Sequence, residues 1–129
     1  MMLSAQRISK SFRGLKAVTD AAFDVPQGAI VALIGPNGAG KTTCFNMIAG
    51  VFPPDSGRII LQDRRIDGFR PDEVCNAGIG RTFQIVKPFA GLSVLDNVMV
   101  GAFLKERTVA GAKQVSLDIL RKLHLEGKA

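Results

Sequence analysis

The chain has 129 residues, of which 47% are apolar and 22% charged, a balance that excludes a disordered polypeptide and suffices for one domain of ordinary size. Lys and Arg number 17 against 11 Asp and Glu, giving a net charge of +6, which suits an anionic partner such as a nucleotide or lipid headgroups. The densest basic cluster is only Arg64-Arg65, too sparse for a nucleic-acid surface, and the apolar run Ala29 to Ile34 is far short of the roughly 20 residues of a membrane-spanning helix.

Leu3 to Ser9 reads as a strand and Lys10 to Gly14 as a basic, glycine-containing turn. Met1 to Lys16 is free of acids, but it carries neither the apolar core of a signal peptide nor an amphipathic helical stripe. A second strand, Ala21 to Val25, ends at Pro26-Gln27-Gly28. Ala29 to Ile34 is continuously apolar between glycines, the pattern of a strand covered on both faces in a largely parallel sheet. A glycine-rich loop leads into a helix from Lys41 to Ala49, with Phe45 and Ile48 as its apolar positions, and Gly50 and Pro53-Pro54 end it.

Arg58 to Leu61 is a short strand, followed by turn chemistry at Asp67-Gly68. Pro71 suits the first position of a helix with Asp72 and Glu73 in its first turn and Gly78 beyond its end. Ile79 to Phe83 returns as a strand ending at Gln84. Ser93 and Asp96 resemble a capping box for a helix through about Phe103. From Val109 to Leu125, the spacing of Ala112, Val115, Ile119 and Leu123 predicts one apolar helical face, with His124 an exposed helix residue. Cys44 and Cys75 are too far apart for a metal knuckle and read as small buried hydrophobes in a reducing compartment. Strands first, then helices, with one apolar strand feeding a glycine loop, predict an α/β domain.

Gly35-Pro36-Asn37-Gly38-Ala39-Gly40-Lys41-Thr42 matches GxxxxGK[ST], the phosphate-binding loop. Wrapping a polyphosphate demands backbone N–H groups at close range, which glycines allow, and the helix that follows adds free donors and the positive end of its dipole. Lys41 supplies a cation for the β and γ phosphates, Thr42 a hydroxyl for Mg²⁺, and Thr43 a second hydroxyl nearby. A glycine-rich turn before a helix is the plainer alternative. The flanking apolar run and capped helix favour nucleotide binding.

GPNGAGKTT at 35 to 43, SFRGLKAV at 11 to 18 and GRTFQ at 80 to 84 together resemble the ATP-binding subunits of ABC transporters, a P-loop NTPase fold. SFRGLKAVTD, GKTTCFNMIAG and RTFQIVKPFAGLSVLDNVMVGA are similar to the branched-chain amino acid transporter ATPases within that family. The resemblance implies a mixed sheet with antiparallel N-terminal strands, a nucleotide-binding core over about 1–84, and the Q-loop and start of a helical subdomain over about 85–129. It places Phe12 at the aromatic position that stacks on adenine, Val18 at the apolar position near base and ribose, and Gln84 at the Q-loop glutamine that contacts Mg²⁺ and the attacking water. On residue pattern alone, Phe12 also reads as a core side chain at a strand end, Gln84 as a solvated amide, and Arg81 as either a phosphate-side cation or a strand surface residue. The apolar stretch Val86, Phe89, Leu92 and Val94 would pack within the chain or receive a helix of a membrane subunit.

The resemblance further implies ATP and Mg²⁺ as cofactors and a second ATPase subunit, homo- or heterodimeric, as partner. Transmembrane permease subunits would place the chain in the cytoplasm, peripheral on the inner face of the membrane, with a periplasmic or extracellular substrate-binding protein engaged indirectly. No nucleic acid is expected. An apolar strand ending in Asp-Glu, the LSGGQ signature and a late γ-phosphate histidine do not occur in the 129 residues. The chain is therefore expected to be the N-terminal part of such an ATPase, binding ATP but hydrolysing it poorly. A non-hydrolysing nucleotide-dependent binding module is the alternative, and a P-loop kinase or GTPase is disfavoured by the lack of NKxD.

Overall fold

The computed structural model describes all 129 residues and divides them into two compact units, Met1–Arg81 and Thr82–Ala129. In the first, β1 (Leu3–Phe12) and β2 (Leu15–Val25) form a long hairpin, and β3 (Ser56–Leu61) with the two-residue β4 (Arg64–Arg65) completes a sheet of order β2-β1-β3-β4. Every pairing in it is antiparallel. The hairpin is longer than the expected Leu3–Ser9 and Ala21–Val25 because the turn is shorter. Arg13 and Gly14, at φ 49° and 81°, close it as a two-residue loop whose left-handed backbone matches strand twist. Gln62 and Asp63, at φ 47° and 64°, do the same between β3 and β4.

Strict alternation breaks in β1, where Ala5 and Ile8 both face the core. A bulge explains it: pairing shifts between Ala5 and Ile8, and Arg7 takes a left-handed φ of 51°. Opposite it, Gly57 at φ 92° has no room for a side chain, since a Cβ there would lie 2.4 Å from the Arg7 carbonyl oxygen. The core of this unit unites Ala5, Ile8, Val18, Ile59, Leu61 and Ile66 of the sheet side with Cys44 and Met47 of α1 (Lys41–Ile48). The buried face of α1 is thus Cys44 and Met47, and Phe45 lies largely exposed, contrary to the expected Phe45–Ile48 face. Ile48 only borders the core. Gly50, at φ 83°, ends α1 as expected, with the Val51 N–H donating back to the Asn46 carbonyl.

α2 (Pro71–Ala77) runs between Pro71 and a left-handed Gly78, as its sequence predicts, and the Glu73 carboxylate accepts the Arg70 N–H at 2.8 Å. Its buried residue is Val74; Cys75, one position further round the helix, is exposed rather than buried. The basic pair is engaged locally. The Arg65 guanidinium grips Asp67 at 2.9 Å and Arg64 stacks over Phe69 at 5.0 Å.

Two expected strands are not formed. Ala29–Ile34 and Ile79–Phe83 enter no ladder, and the first is unshielded, with Ile30 at 101% and Ile34 at 90% exposure. Both runs have strand-type composition, but β propensity yields a strand only against a paired neighbour. An uncharged, proline-free β-prone hexapeptide in this condition is an aggregation template. Ile30→Lys and Ile34→Lys are each expected to reduce light scattering on concentration at unchanged melting temperature, because neither side chain is buried.

In the second unit, α3 (Val94–Ala102) and α4 (Val109–Lys122) pack on each other, followed by a 3₁₀ turn, Glu126–Lys128. The Ser93 hydroxyl accepts the Asp96 N–H at 3.0 Å and Thr108 caps α4 through Gly111 N–H at 3.0 Å. The buried row of α4 is Ala112, Ser116 and Leu120, so the expected stripe survives only at Ala112. Val115, Ile119 and Leu123 lie to one side of that row and are exposed. Small residues at 112 and 116 let the helix sit close to its neighbour. The Ser116 hydroxyl is buried without a partner. His124 is exposed but lies past the helix end, left-handed at φ 57°, where Leu125 N–H closes onto the Leu120 carbonyl.

Candidate nucleotide-binding site

The loop Gly35–Gly40 gains its shape from two left-handed glycines, Gly38 at φ 86° and Gly40 at φ 88°. A turn closes it, with Ala39 N–H donating to the Pro36 carbonyl at 3.1 Å. Gly40 is also the N-cap of α1, and no side chain caps that end. Its first turn carries no acidic residue. The free N–H groups and the positive dipole end therefore remain available to an anion. The Lys41 ammonium folds over the loop, donating to the Gly35 carbonyl and, at 3.3 Å, to that of Pro36. A polyphosphate would exchange those carbonyl partners for anionic oxygens, which bind the ammonium more strongly. Thr42 is exposed and Thr43 half-buried, beside Lys41 at the helix start.

The hairpin is seated directly on this loop. A Cβ on Gly40 would lie 2.4 Å from the Ala17 carbonyl oxygen and 2.9 Å from Val18 Cγ2, so only glycine allows the approach. Val18 is 7% exposed and belongs to the core, which makes it a wall behind the loop rather than an open contact surface. Phe12 sits at the same end of the hairpin, paired with Leu15, and is 43% exposed. The structure thus brings Gly40 of the loop against Ala17 and Val18, with Phe12 further along the same hairpin toward its turn. Gln84, an exposed residue at a bend, belongs to the second unit.

Three features escape a linear reading. The Arg81 guanidinium donates to Asn46 Oδ1 on α1 at 2.7 Å, tying the segment that precedes Gln84 to the helix that follows the loop. Phe52 meets Phe12 edge to face, and Lys10 lies over both rings. Asp55 bridges Lys10 and the Ser11 N–H. None has a local spacing signal, since the partners are remote in sequence; the aromatic in FPPD after the helix is the only hint.

The Ser11 N–H, and after it the Lys10 ammonium, hold the Asp55 carboxyl below the ordinary aspartate value. A carboxyl lowered in the folded chain stabilises it above the unfolded value, and that contribution is lost as pH falls through the folded value. In an acid titration followed by NMR, the Ser11 amide is expected to shift with a midpoint below that of free aspartate, and Asp55→Asn to abolish the titration. Burial pushes the Cys44 thiol up, so it stays protonated and serves as packing beneath α1.

A glycine loop leads into an uncapped helix start with a lysine at its first position, and the ABC transporter family model matches residues 18–129. The chain belongs to the ABC transporter family. It is 39% identical over 99 residues to the probable branched-chain amino acid transport ATP-binding protein LivG of Archaeoglobus fulgidus, covering 77% of this chain and 38% of that protein. It is 38% identical over 127 residues to the lipopolysaccharide export system ATP-binding protein LptB of Escherichia coli (strain K12), covering 96% and 52%. A solved structure of the ADP conformation of MJ1267, an ATP-binding cassette of an ABC transporter, superposes with TM-score 0.83 at 28% identity over 98% of this chain and 55% of that one. This ABC chain thus spans between 38% and 52% of the length of these curated relatives. The α/β class with antiparallel N-terminal strands is as expected. No helix is long and apolar enough to cross a membrane.

Proposed function

We propose that the chain is the ATP-binding N-terminal part of an energy-coupling transporter subunit, with its nucleotide core over about 1–84 and the start of a helical subdomain over about 85–129. One observation carries this reading: the uncapped start of α1, with left-handed Gly38 and Gly40 and with Lys41 folded over the loop. A triphosphate fits this donor set, since the Lys41 ammonium, the Thr42 and Thr43 hydroxyls and the first N–H groups of the uncapped α1 can all donate. Backbone N–H groups of the loop and of Lys41 to Thr43 bind the phosphates, and Lys41 neutralises the β and γ oxygens. The Phe12 ring carries adenine and Val18 backs the ribose end.

Thr42 would hold Mg²⁺, and the metal would supply charge neutralisation at the phosphates. No cluster of acidic, histidine or cysteine side chains offers another metal site. Without a carboxylate to polarise water, the residues present bind and orient ATP but do not activate its attack. Head-to-tail closure with a second ATPase subunit would supply the opposite signature segment. Permease subunits would anchor the pair peripherally at the inner membrane face, with a substrate-binding protein reached through them and no nucleic acid involved.

Import of branched-chain amino acids is supported by the LivG likeness. Export of a lipid-linked substrate is the second reading, because the LptB likeness has comparable identity and extends over more of this chain. The test is calorimetric titration of the chain with Mg-ATP beside steady-state phosphate release. Saturable binding with turnover near the no-protein background is expected. Turnover typical of an intact ATPase, lost in Lys41→Ala, would overturn the hydrolysis part; absence of any binding would overturn the whole.

A further inference from the structure

Phe12 is built into a cluster that its position at a strand end does not require. Its ring meets Phe52, from the segment after α1, with centroids 5.1 Å apart and planes at 83°. The Lys10 ammonium stands 5.5 Å from the Phe12 centroid and 5.3 Å from that of Phe52. Although charged, the Lys10 side chain is only 14% exposed, and it donates to Asp55 Oδ1 at 3.1 Å. The other Asp55 oxygen accepts the Ser11 N–H at 2.8 Å, while the Asp55 N–H donates to the Ser9 carbonyl at 2.8 Å. Asp55 thus fixes the last residues of β1 and the cation above the rings at once.

A half-exposed phenylalanine at a hairpin end would otherwise exchange among staggered rotamers. An edge-to-face partner and a shared cation favour one of them. The cluster lies at the hairpin end that is seated on Gly40 through Ala17 and Val18. A ring held there in advance spares a bound nucleotide the entropy of ordering it.

We propose that Phe52, held by the Lys10–Asp55 pair, is a positioning residue that keeps the Phe12 ring in the orientation that stacks on the base of a nucleoside triphosphate. The inference rests on the reading of Phe12 as the base platform. Phe52 itself touches no nucleotide; it acts through Phe12.

Affinities for Mg-ATP and for Mg-tripolyphosphate, which has the phosphates and no base, separate these roles. Phe12→Ala and Phe52→Ala are each expected to weaken ATP binding, Phe52→Ala by about two- to tenfold, with tripolyphosphate affinity unchanged. The double variant should bind ATP no more weakly than Phe12→Ala alone, and Phe52→Tyr should restore binding. Phe52→Leu, which keeps bulk without a ring, replaces Phe52→Ala should the latter not fold, and the same loss is expected of it. Full ATP affinity in Phe52→Ala or Phe52→Leu beside a loss in Phe12→Ala would overturn the inference and leave the platform reading standing. Equal loss for ATP and tripolyphosphate would also overturn it, as general disruption. Full ATP affinity in Phe12→Ala would remove the platform reading and the inference with it.

Discussion

Gly40→Ala is expected to destabilise the first unit by about 2–5 kcal/mol and to abolish measurable nucleotide binding, combining left-handed strain with an overpacked contact. The strain arises because Gly40 sits at φ 88°, where a Cβ crowds its own backbone. The contact is worse, since that Cβ would lie 2.4 Å from the Ala17 carbonyl oxygen, a backbone atom held by the sheet. Relief requires moving the loop away from β2, which also moves the first N–H groups of α1. Gly38→Ala is the internal control. Its φ of 86° carries the same strain, but a Cβ there meets nothing within 4 Å. It should cost only about 1–2 kcal/mol. Urea unfolding of the two variants reads the difference, and equal losses would show that the approach of β2 to the loop is unimportant.

Lys41→Ala is expected to weaken Mg-ATP binding roughly ten- to a hundredfold, corresponding to about 1.5–3 kcal/mol for a hydrogen bond to a charged group. Its effect on folding should be small. In the chain itself the ammonium serves only the Gly35 and Pro36 carbonyls of the partly exposed loop, which water can satisfy in its place. Lys41→Met keeps most of the aliphatic stem and should bind ATP as weakly as Lys41→Ala. Near-normal ATP affinity in Lys41→Met would show that packing of the stem, and not the charge, is what the loop uses.

Much of the architecture is legible residue by residue. Pro71 and Gly78 bracket α2, Gly50 ends α1, Ser93 caps α3, and the glycines from Gly35 form the loop that leads into α1. Other readings shifted. The helix faces expected at Phe45 and along Val115, Ile119 and Leu123 turned to solvent, and Cys75 proved exposed. Periodicity finds an apolar stripe, but the neighbouring element selects which part of it is covered, and close packing favours small residues such as Ala112 and Ser116. Ala29–Ile34 is the sharpest case: its composition is that of a buried strand, and it lies in the open.

From sequence alone, the ends of α1 and α2, the cap of α3 and the glycine loop of this ABC family member were determined, because each depends on the conformational limits of a few adjacent residues. Glycines at 38 and 40 and the helix that starts at Lys41 need no distant partner to set the left-handed turns of that loop. Tertiary structure alone decided that Gly40 lies against Ala17 and Val18, that Arg81 reaches Asn46, and that Phe52, Lys10 and Asp55 gather around Phe12. Those contacts join segments remote in the chain, and their energies come from burial, ring geometry and charge pairing that exist only once the sheet has brought the segments together.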